Sequence, residues 1–336
     1  MSQVLNNHAE DNSWPHRMAV LLVCAVFPLI WVGGLVTTYD AGMAVPDWPS
    51  TYGYNLLLYP WQTWLSGPWD LFIEHGHRLL GALAGVLTIA LAAVIYRYDG
   101  RSWMRWMGLL CVLGVIGQGV LGGMRVLMDE RSLARIHGCI GPIFFAFCVA
   151  LAVMTSRWWK IATGESALGS AIRKMSWAVL AVVVCQLLLG ANLRHVTAGT
   201  SHRTYSTFVM SHVTLAVLLV LLSILLSIWV WMRHRNSSWL VRPTAMLLAL
   251  LVAQFGLGVA SWIGQYGVPL AGEWNFVVEA NGLVQSMLVT AHVAVGSLVL
   301  ATATCVALRS TRAGYRPTAA AIPISPSTVK AKGALA

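Results

Sequence analysis

Charge is what this 336-residue sequence has least of: Asp, Glu, Lys and Arg make up 10% of it, and only 12 residues are acidic. Soluble domains carry about a quarter charged residues, so a water-soluble enzyme is excluded. Hydrophobic residues fill 57% of the chain and the mean hydropathy is +0.69, which excludes a disordered protein. Cysteine supplies no framework. Cys24, Cys111, Cys139, Cys148, Cys185 and Cys305 all fall inside apolar runs and form no CxxC pair. A disulfide-stapled secreted domain and a CxxC metal site are therefore excluded, and the six read as small buried apolar side chains. The net charge of +10 does not mark a DNA-binding domain, because the Lys and Arg residues sit in short clusters between apolar runs, the pattern of membrane topology.

What is present is apolar length. Eight runs, at about 17–37, 75–96, 103–124, 137–154, 173–193, 208–232, 243–263 and 287–308, are nearly free of charge. Each approaches the roughly 20 residues that a membrane helix needs. The fold expected is an all-α membrane protein with eight transmembrane helices, and the 16 Trp residues suit interfacial aromatic belts. Residues 1–16 carry Glu10 and Asp11 and lack a basic start, so they read as a cytoplasmic tail and not as a cleaved signal peptide. With that tail inside, sixteen of the 22 Lys and Arg residues fall on the inner side and six (Arg78, Arg125, Arg131, Arg135, Arg194 and Arg203) on the outer side. Counting acids, the inner side carries +12 and the outer side −2. The positive-inside rule then puts both termini in the cytoplasm of a cell's inner membrane. Residues 311–336, rich in Ala, Pro and Ser, read as a disordered inner tail.

An internal repeat divides the chain. Gln118-Gly119-Val120-Leu121-Gly122 returns as Gln186-Leu187-Leu188-Leu189-Gly190 and as Gln254-Phe255-Gly256-Leu257-Gly258, 68 residues apart each time, with a weaker version at Leu29-Ile30-Trp31-Val32-Gly33. The pattern reads as helix packing, since glycine lets backbones approach in lipid and glutamine bonds across helices. It also suggests two pseudo-symmetric four-helix bundles, an N-terminal half at 17–160 and a C-terminal half at 161–310.

Four of the ten histidines share a position. His77, His137, His212 and His292 each lie near the start of an even-numbered run, and even-numbered helices all run from outside to inside. All four therefore lie toward the outer face, one pair per half. Ionisable groups inside a span are costly and point to function, and facing histidines in a bundle hold haem iron or another metal. Imidazole also suits Cu or Zn, but those sites draw on further ligands and no Cys or carboxylate set stands beside these. Two paired-imidazole haem sites follow, one per half. Glu74 lies three residues before His77 and shares its helical face; the other three histidines have no carboxylate at that offset. Chemistry is expected at the first pair and electron transfer at the second. A first-turn glutamate favoured by the helix dipole is the plain alternative for Glu74. The outer arginines are candidates for haem propionates, because Arg grips carboxylates in a fork. Arg78 and Arg135 adjoin the histidine positions and are the preferred pair. His75 reads as a loop or interface residue, and His195 and His202 as solvated.

These residues resemble the haem A synthases. Glu74-His75-Gly76-His77-Arg78 looks like that family's Glu-x-x-His-Arg motif. The stretch from Gly33-Gly34-Leu35-Val36-Thr37 through Pro46-Asp47-Trp48-Pro49 is similar to its first outer loop. Gln118 to Gly123 with His137, His212 and His292 completes the pattern. The resemblance spans about residues 17–310. It implies an oxidoreductase of haem A biosynthesis for cytochrome oxidase assembly, oxidising the C8 methyl of haem O to a formyl group by successive hydroxylations. His212 and His292 would be axial ligands of a haem b cofactor. His77 and His137 would hold the haem O substrate, and Glu74 would transfer a proton or stabilise a cationic intermediate. The partners implied are haem O synthase (the farnesyltransferase), an electron carrier of unspecified class, the lipid bilayer and a second copy in a homo-oligomer, with no nucleic acid. Some relatives carry paired cysteines in the first outer loop. Val45 and Thr51 stand at those positions here, which excludes loop thiols as electron acceptors. Tyr39-Asp40-Ala41-Gly42-Met43 is likewise a variant of the family's string. A di-haem electron-transfer cytochrome of b type would use the same histidines without needing Glu74. A repeat-built transporter would place its polar groups near mid-membrane, whereas these cluster toward one face.

Overall fold

The computed structural model describes residues 13–162, 169–196, 199–266 and 282–314. Most of the two expected tails, 1–16 and 311–336, and of the outer loop at 264–286 lies outside the described residues. The chain forms α1 (Trp14–Thr38), a 3₁₀ turn (Ala41–Met43), α2 (Trp61–Ser66), α3 (Trp69–Tyr98), α4 (Ser102–Met128), α5 (Arg131–Thr155), α6 (Arg157–Ile161), α7 (Ser170–Arg194), α8 (His202–His234), α9 (Ser238–Tyr266) and α10 (Leu283–Ala313). Eight of these helices, all but α2 and α6, are long and apolar enough to cross a membrane. The protein is a multi-pass, all-helical membrane protein.

The helices extend past their apolar runs because chain-end chemistry, not apolarity, stops them. Pro15 opens α1 and Pro68 precedes α3, where the missing proline N–H costs nothing. Ser201 caps α8 by accepting from the Thr204 amide, and Glu130 caps α5 by accepting from the Ser132 amide. The early start of α3 moves Glu74 into the helix's second turn and makes His77 its ninth residue. Within the spans, hydroxyls turn back onto their own helix: Thr88 donates to Ala84 O, Thr155 to Leu151 O and Thr244 to Leu240 O. These three hydroxyls are thereby satisfied where lipid offers no partner.

Helices α1, α3, α4 and α5 pack as a closed ring, and α7, α8, α9 and α10 close a second one. The rings meet along α5 and α10, with α1 against α10 and α5 against α7. This arrangement is consistent with two pseudo-symmetric bundles related about the α5/α10 contact. Each ring has its own core, with Leu22, Leu91, Met104 and Phe145 in the first and Ile172, Leu226, Leu247 and Val306 in the second. The outward faces stay apolar: Val86, Ile89, Ile116, Leu221, Leu225 and Val252 are exposed, as lipid contact requires. At the other end of the spans, Arg309 and Arg312 lie over the Trp158 and Trp159 rings and donate to the carbonyls of Trp239 and Trp159.

Candidate functional site

The four span histidines meet in two pairs. His77 on α3 faces His137 on α5 with ring centroids 6.3 Å apart and planes at 89°. His212 on α8 faces His292 on α10 at 6.5 Å and 67°. A metal ion held between two opposed imidazoles by bonds of about 2 Å puts their centroids roughly 6 Å apart, and both pairs stand at that separation. Among the described residues no three His, Cys, Asp or Glu side chains gather. The donor set there is a pair of imidazoles, which would fit a metal that brings its remaining ligands with it, such as the iron of a porphyrin. The Nδ1 atoms of all four rings are buried without a hydrogen-bond partner.

The repeated glycines lie against these rings. A Cβ on Gly33 of α1 would come 2.7 Å from His77 Cε1, and one on Gly122 of α4 3.2 Å from His137 Cε1. The corresponding distances are 3.4 Å from Gly190 of α7 to His212 and 3.1 Å from Gly258 of α9 to His292. The expectation of backbone-to-backbone packing is corrected here: an imidazole, and not a neighbouring helix backbone, fills the space each glycine leaves. The glutamines one turn earlier also attend the second pair. Gln186 Nε2 donates to the His212 carbonyl at 2.9 Å, and Gln254 Nε2 lies 3.3 Å from His292 Nε2.

Glu74 is 2% exposed and both its oxygens are engaged. Oε1 accepts from Arg78 at 2.8 Å and Oε2 from the Val45 amide at 2.9 Å. Arg78 is the fastener of the first outer loop. Its Nη1 donates to the carbonyls of Asp47 (2.7 Å) and Ser50 (2.9 Å), and its Nη2 to that of Val45 (2.8 Å) as well as to Glu74. Four bonds exhaust the donors of its two terminal nitrogens and leave only Nε–H for another anion. Of the two readings for His75, loop or interface, the structure shows the second: it is buried on α3. Its Nδ1 lies 3.1 Å from Thr51 Oγ1, and the Tyr59 and Trp64 rings enclose it. Val45 and Thr51 are both fully buried, and they anchor the loop to Glu74 and His75.

The loop is internally braced. The Asp47 carboxylate accepts from the amides of Tyr52 and Gly53 at 2.8 Å each, and these two residues have φ of 51° and 78°, the turn conformation that glycine adopts without strain. Partial burial pushes the Asp47 carboxyl up, but the Gly53 amide, the Ser50 hydroxyl and the Tyr52 amide outweigh it and hold the group below the usual carboxylate range. Further along, Arg125 donates to Gly42 O at 2.9 Å, and the Trp48 indole lies against Gly123, the neighbour of the glycine facing His137.

Arg194 ties the two rings of helices together. It donates to Gly34 O and to Thr38 Oγ1, both on α1, at 2.8 Å. Thr38 in turn lies 3.2 Å from Thr290 Oγ1, two residues before His292. Arg135 reaches Asn192 Oδ1 at 3.4 Å. His195, expected in solvent, is half-buried beside Gly138. Burial first, and then the charges of Arg194, Arg135 and Arg125, press its pKa down to about 4. His202 is exposed as expected. Sequence reasoning missed the contacts of Val45, Thr51, Arg125 and Arg194. The one signal for them was that a guanidinium inside an apolar stretch demands an acceptor.

The chain is similar to several known proteins. The chain is 24% identical over 277 residues to the protein named Heme A synthase of Halalkalibacterium halodurans, covering 77% of this chain and 88% of that one. It is 24% identical over 268 residues to the Heme A synthase of Shouchella clausii, covering 73% and 85%. A shorter match, 28% identical over 150 residues, is to the Protoheme IX farnesyltransferase of Haloarcula marismortui, covering 43% of this chain and 29% of that protein. The family model described as cytochrome oxidase assembly protein, COX15-CtaA, matches residues 69–277, and the chain belongs to that family.

Proposed function

We propose that this chain is a haem A synthase, a membrane oxidoreductase that converts haem O to haem A by oxidising the C8 methyl group to a formyl group through successive hydroxylations. The observation that carries the reading is the presence of two imidazole pairs, each ring with a buried Nδ1, at metal-bridging separation in a chain of this family. His212 and His292 hold the haem b cofactor, which supplies one-electron transfer when bound. His77 and His137 hold the haem O substrate. The domain halves are 17–160 for the substrate and 161–310 for the cofactor.

Glu74 acts at the first pair alone. Each of its oxygens has one hydrogen-bond partner and keeps a further lone pair. It can therefore take a proton, or offset positive charge at the substrate, while the loop stays fastened. Arg135 pairs with the substrate's propionates; Arg78 has only its Nε–H to offer them. The membrane is the cell's inner membrane with both termini cytoplasmic, on the strength of the Lys and Arg distribution. Haem O reaches the chain from a haem O synthase. The partial likeness to a farnesyltransferase supports that neighbourhood.

The test is chromatography of haems extracted from cells that make haem O, with and without this protein. Haem A should appear only with it. A purified protein that carries b-type haem but yields no haem A would overturn the synthase reading in favour of an electron-transfer cytochrome.

A further inference from the structure

We propose that Gly33, Gly122, Gly190 and Gly258 are positioning residues, each a seat that fixes the plane and depth of one axial imidazole. The inference rests on the proposed function and deepens it.

The same edge of all four rings meets the glycines. Cε1 is the nearest atom in every case and Nδ1 the next, at 3.2, 3.5, 4.0 and 3.6 Å for His77, His137, His212 and His292. The backbones of Leu29, Gln118 and Gln254, one turn before Gly33, Gly122 and Gly258, also lie beside their rings. The Nδ1 atoms are buried and make no hydrogen bond to a backbone acceptor in this arrangement. A ligating histidine offers its other ring nitrogen to such a group, which sets the ring's orientation and basicity.

Packing glycines behave differently in the same molecule. A Cβ on Gly108 would meet the backbone of Ala92 at 3.4 Å, whereas Gly117, Gly119 and Gly256, on the very helices that carry the seats, would meet nothing within 4 Å. The connections from glycine to histidine also differ greatly in length: 44, 15, 22 and 34 residues separate the four pairs. No common loop brings ring and glycine together, so the shared contact belongs to the site.

The test substitutes seat and non-seat glycines of one helix. Gly258→Ala is compared with Gly256→Ala, and Gly190→Ala serves as the mild case because its Cβ would sit farthest from the ring. Alanine is the better helix former, so helix weakening explains no loss. On purified protein with its haem, Gly258→Ala should shift the low-spin g values and the midpoint potential and release haem roughly tenfold faster or more. Gly190→Ala should do so less, and Gly256→Ala should match the unsubstituted protein. On haem-free protein, nitrogen NMR of the histidine rings should show His292 displaced by Gly258→Ala and unmoved by Gly256→Ala. Equal spectra for the two variants, in either form of the protein, would overturn the proposal. If the unsubstituted protein binds no haem, the functional reading falls, and the ring resonances still decide whether the seats exist.

Discussion

Replacing Arg78 with lysine isolates the fastening of the first outer loop from the charge beside Glu74. The guanidinium donates to three loop carbonyls, at 2.7, 2.9 and 2.8 Å, and to Glu74 at 2.8 Å. Lysine keeps the positive charge but presents a single ammonium without the planar fork. Its three N–H donors can hold Glu74 and at most two carbonyls, and at least one carbonyl then loses its donor. Hydrogen bonds to a charged group are worth about 1.5–3 kcal/mol each, so the loop should lose at least about 1.5 kcal/mol of local stability, or roughly tenfold in its opening equilibrium. Hydrogen exchange reads that equilibrium directly. The amides of Val45, Tyr52 and Gly53, bonded to Glu74 and Asp47, should exchange about tenfold faster or more in Arg78→Lys, with haem at the second pair unaffected. Unchanged exchange at Val45 would refute the idea that Arg78 holds the loop.

Three further outcomes follow from the same geometry. His212→Ala or His292→Ala removes half of the second pair and should abolish stable retention of b-type haem, measured as haem per protein, whereas a coloured, haem-replete variant would defeat the cofactor assignment. Glu74→Gln should keep that haem yet lower haem A output by about 10²-fold or more, the usual worth of a positioned proton-transfer group; normal output would remove Glu74 from the chemistry. Asp99, just past α3, forms a fork with Arg101 at 2.9 and 2.7 Å. Burial raises its pKa, and the Arg101 hydrogen bonds and charge more than reverse this, leaving it below 3.8. A depressed folded-state value means the fork stabilises the protein above 3.8 and loses that effect as pH falls through the lower folded value. Thermal unfolding should therefore separate the unsubstituted protein from Asp99→Asn near neutrality and bring the two together in strong acid. An equal gap at both would contradict the linkage.

The spans and the histidine pairing were legible in the sequence, for a physical reason. A bilayer demands contiguous apolar length and internally satisfied backbone, and helices that alternate direction put His77, His137, His212 and His292 at one depth without further information. The glycine repeat was visible but misread. Glycine in a membrane helix usually signals close helices, and only coordinates reveal that an imidazole fills the space at Gly122 or Gly258. Arg78 was placed beside His77, but its loop contacts were not foreseen, because its acceptors at Val45, Asp47 and Ser50 lie about 30 residues away in a loop with no periodicity. His195 failed likewise: its polarity suggested solvent, while it sits half-buried beside Gly138 of α5.

The asymmetry between the halves lies in what is added to a shared scaffold. Both rings of helices offer a histidine pair with glycine seats, so the pairs alone cannot assign reaction to one and electron transfer to the other. After α1 the chain spends residues 39–68 before the next span, but after α7 only residues 195–201. The long connection brings Val45 to Glu74, Thr51 to His75 and Trp48 to Gly123, enclosing one side of the first site in protein. Oxidation of a methyl group needs such an enclosure, since water at a reactive intermediate diverts it, whereas electron transfer needs only a fixed haem. Among the described residues, the carboxylate and the braced loop fall on the half that holds His77 and His137, and under the proposed function that half is where haem O reacts.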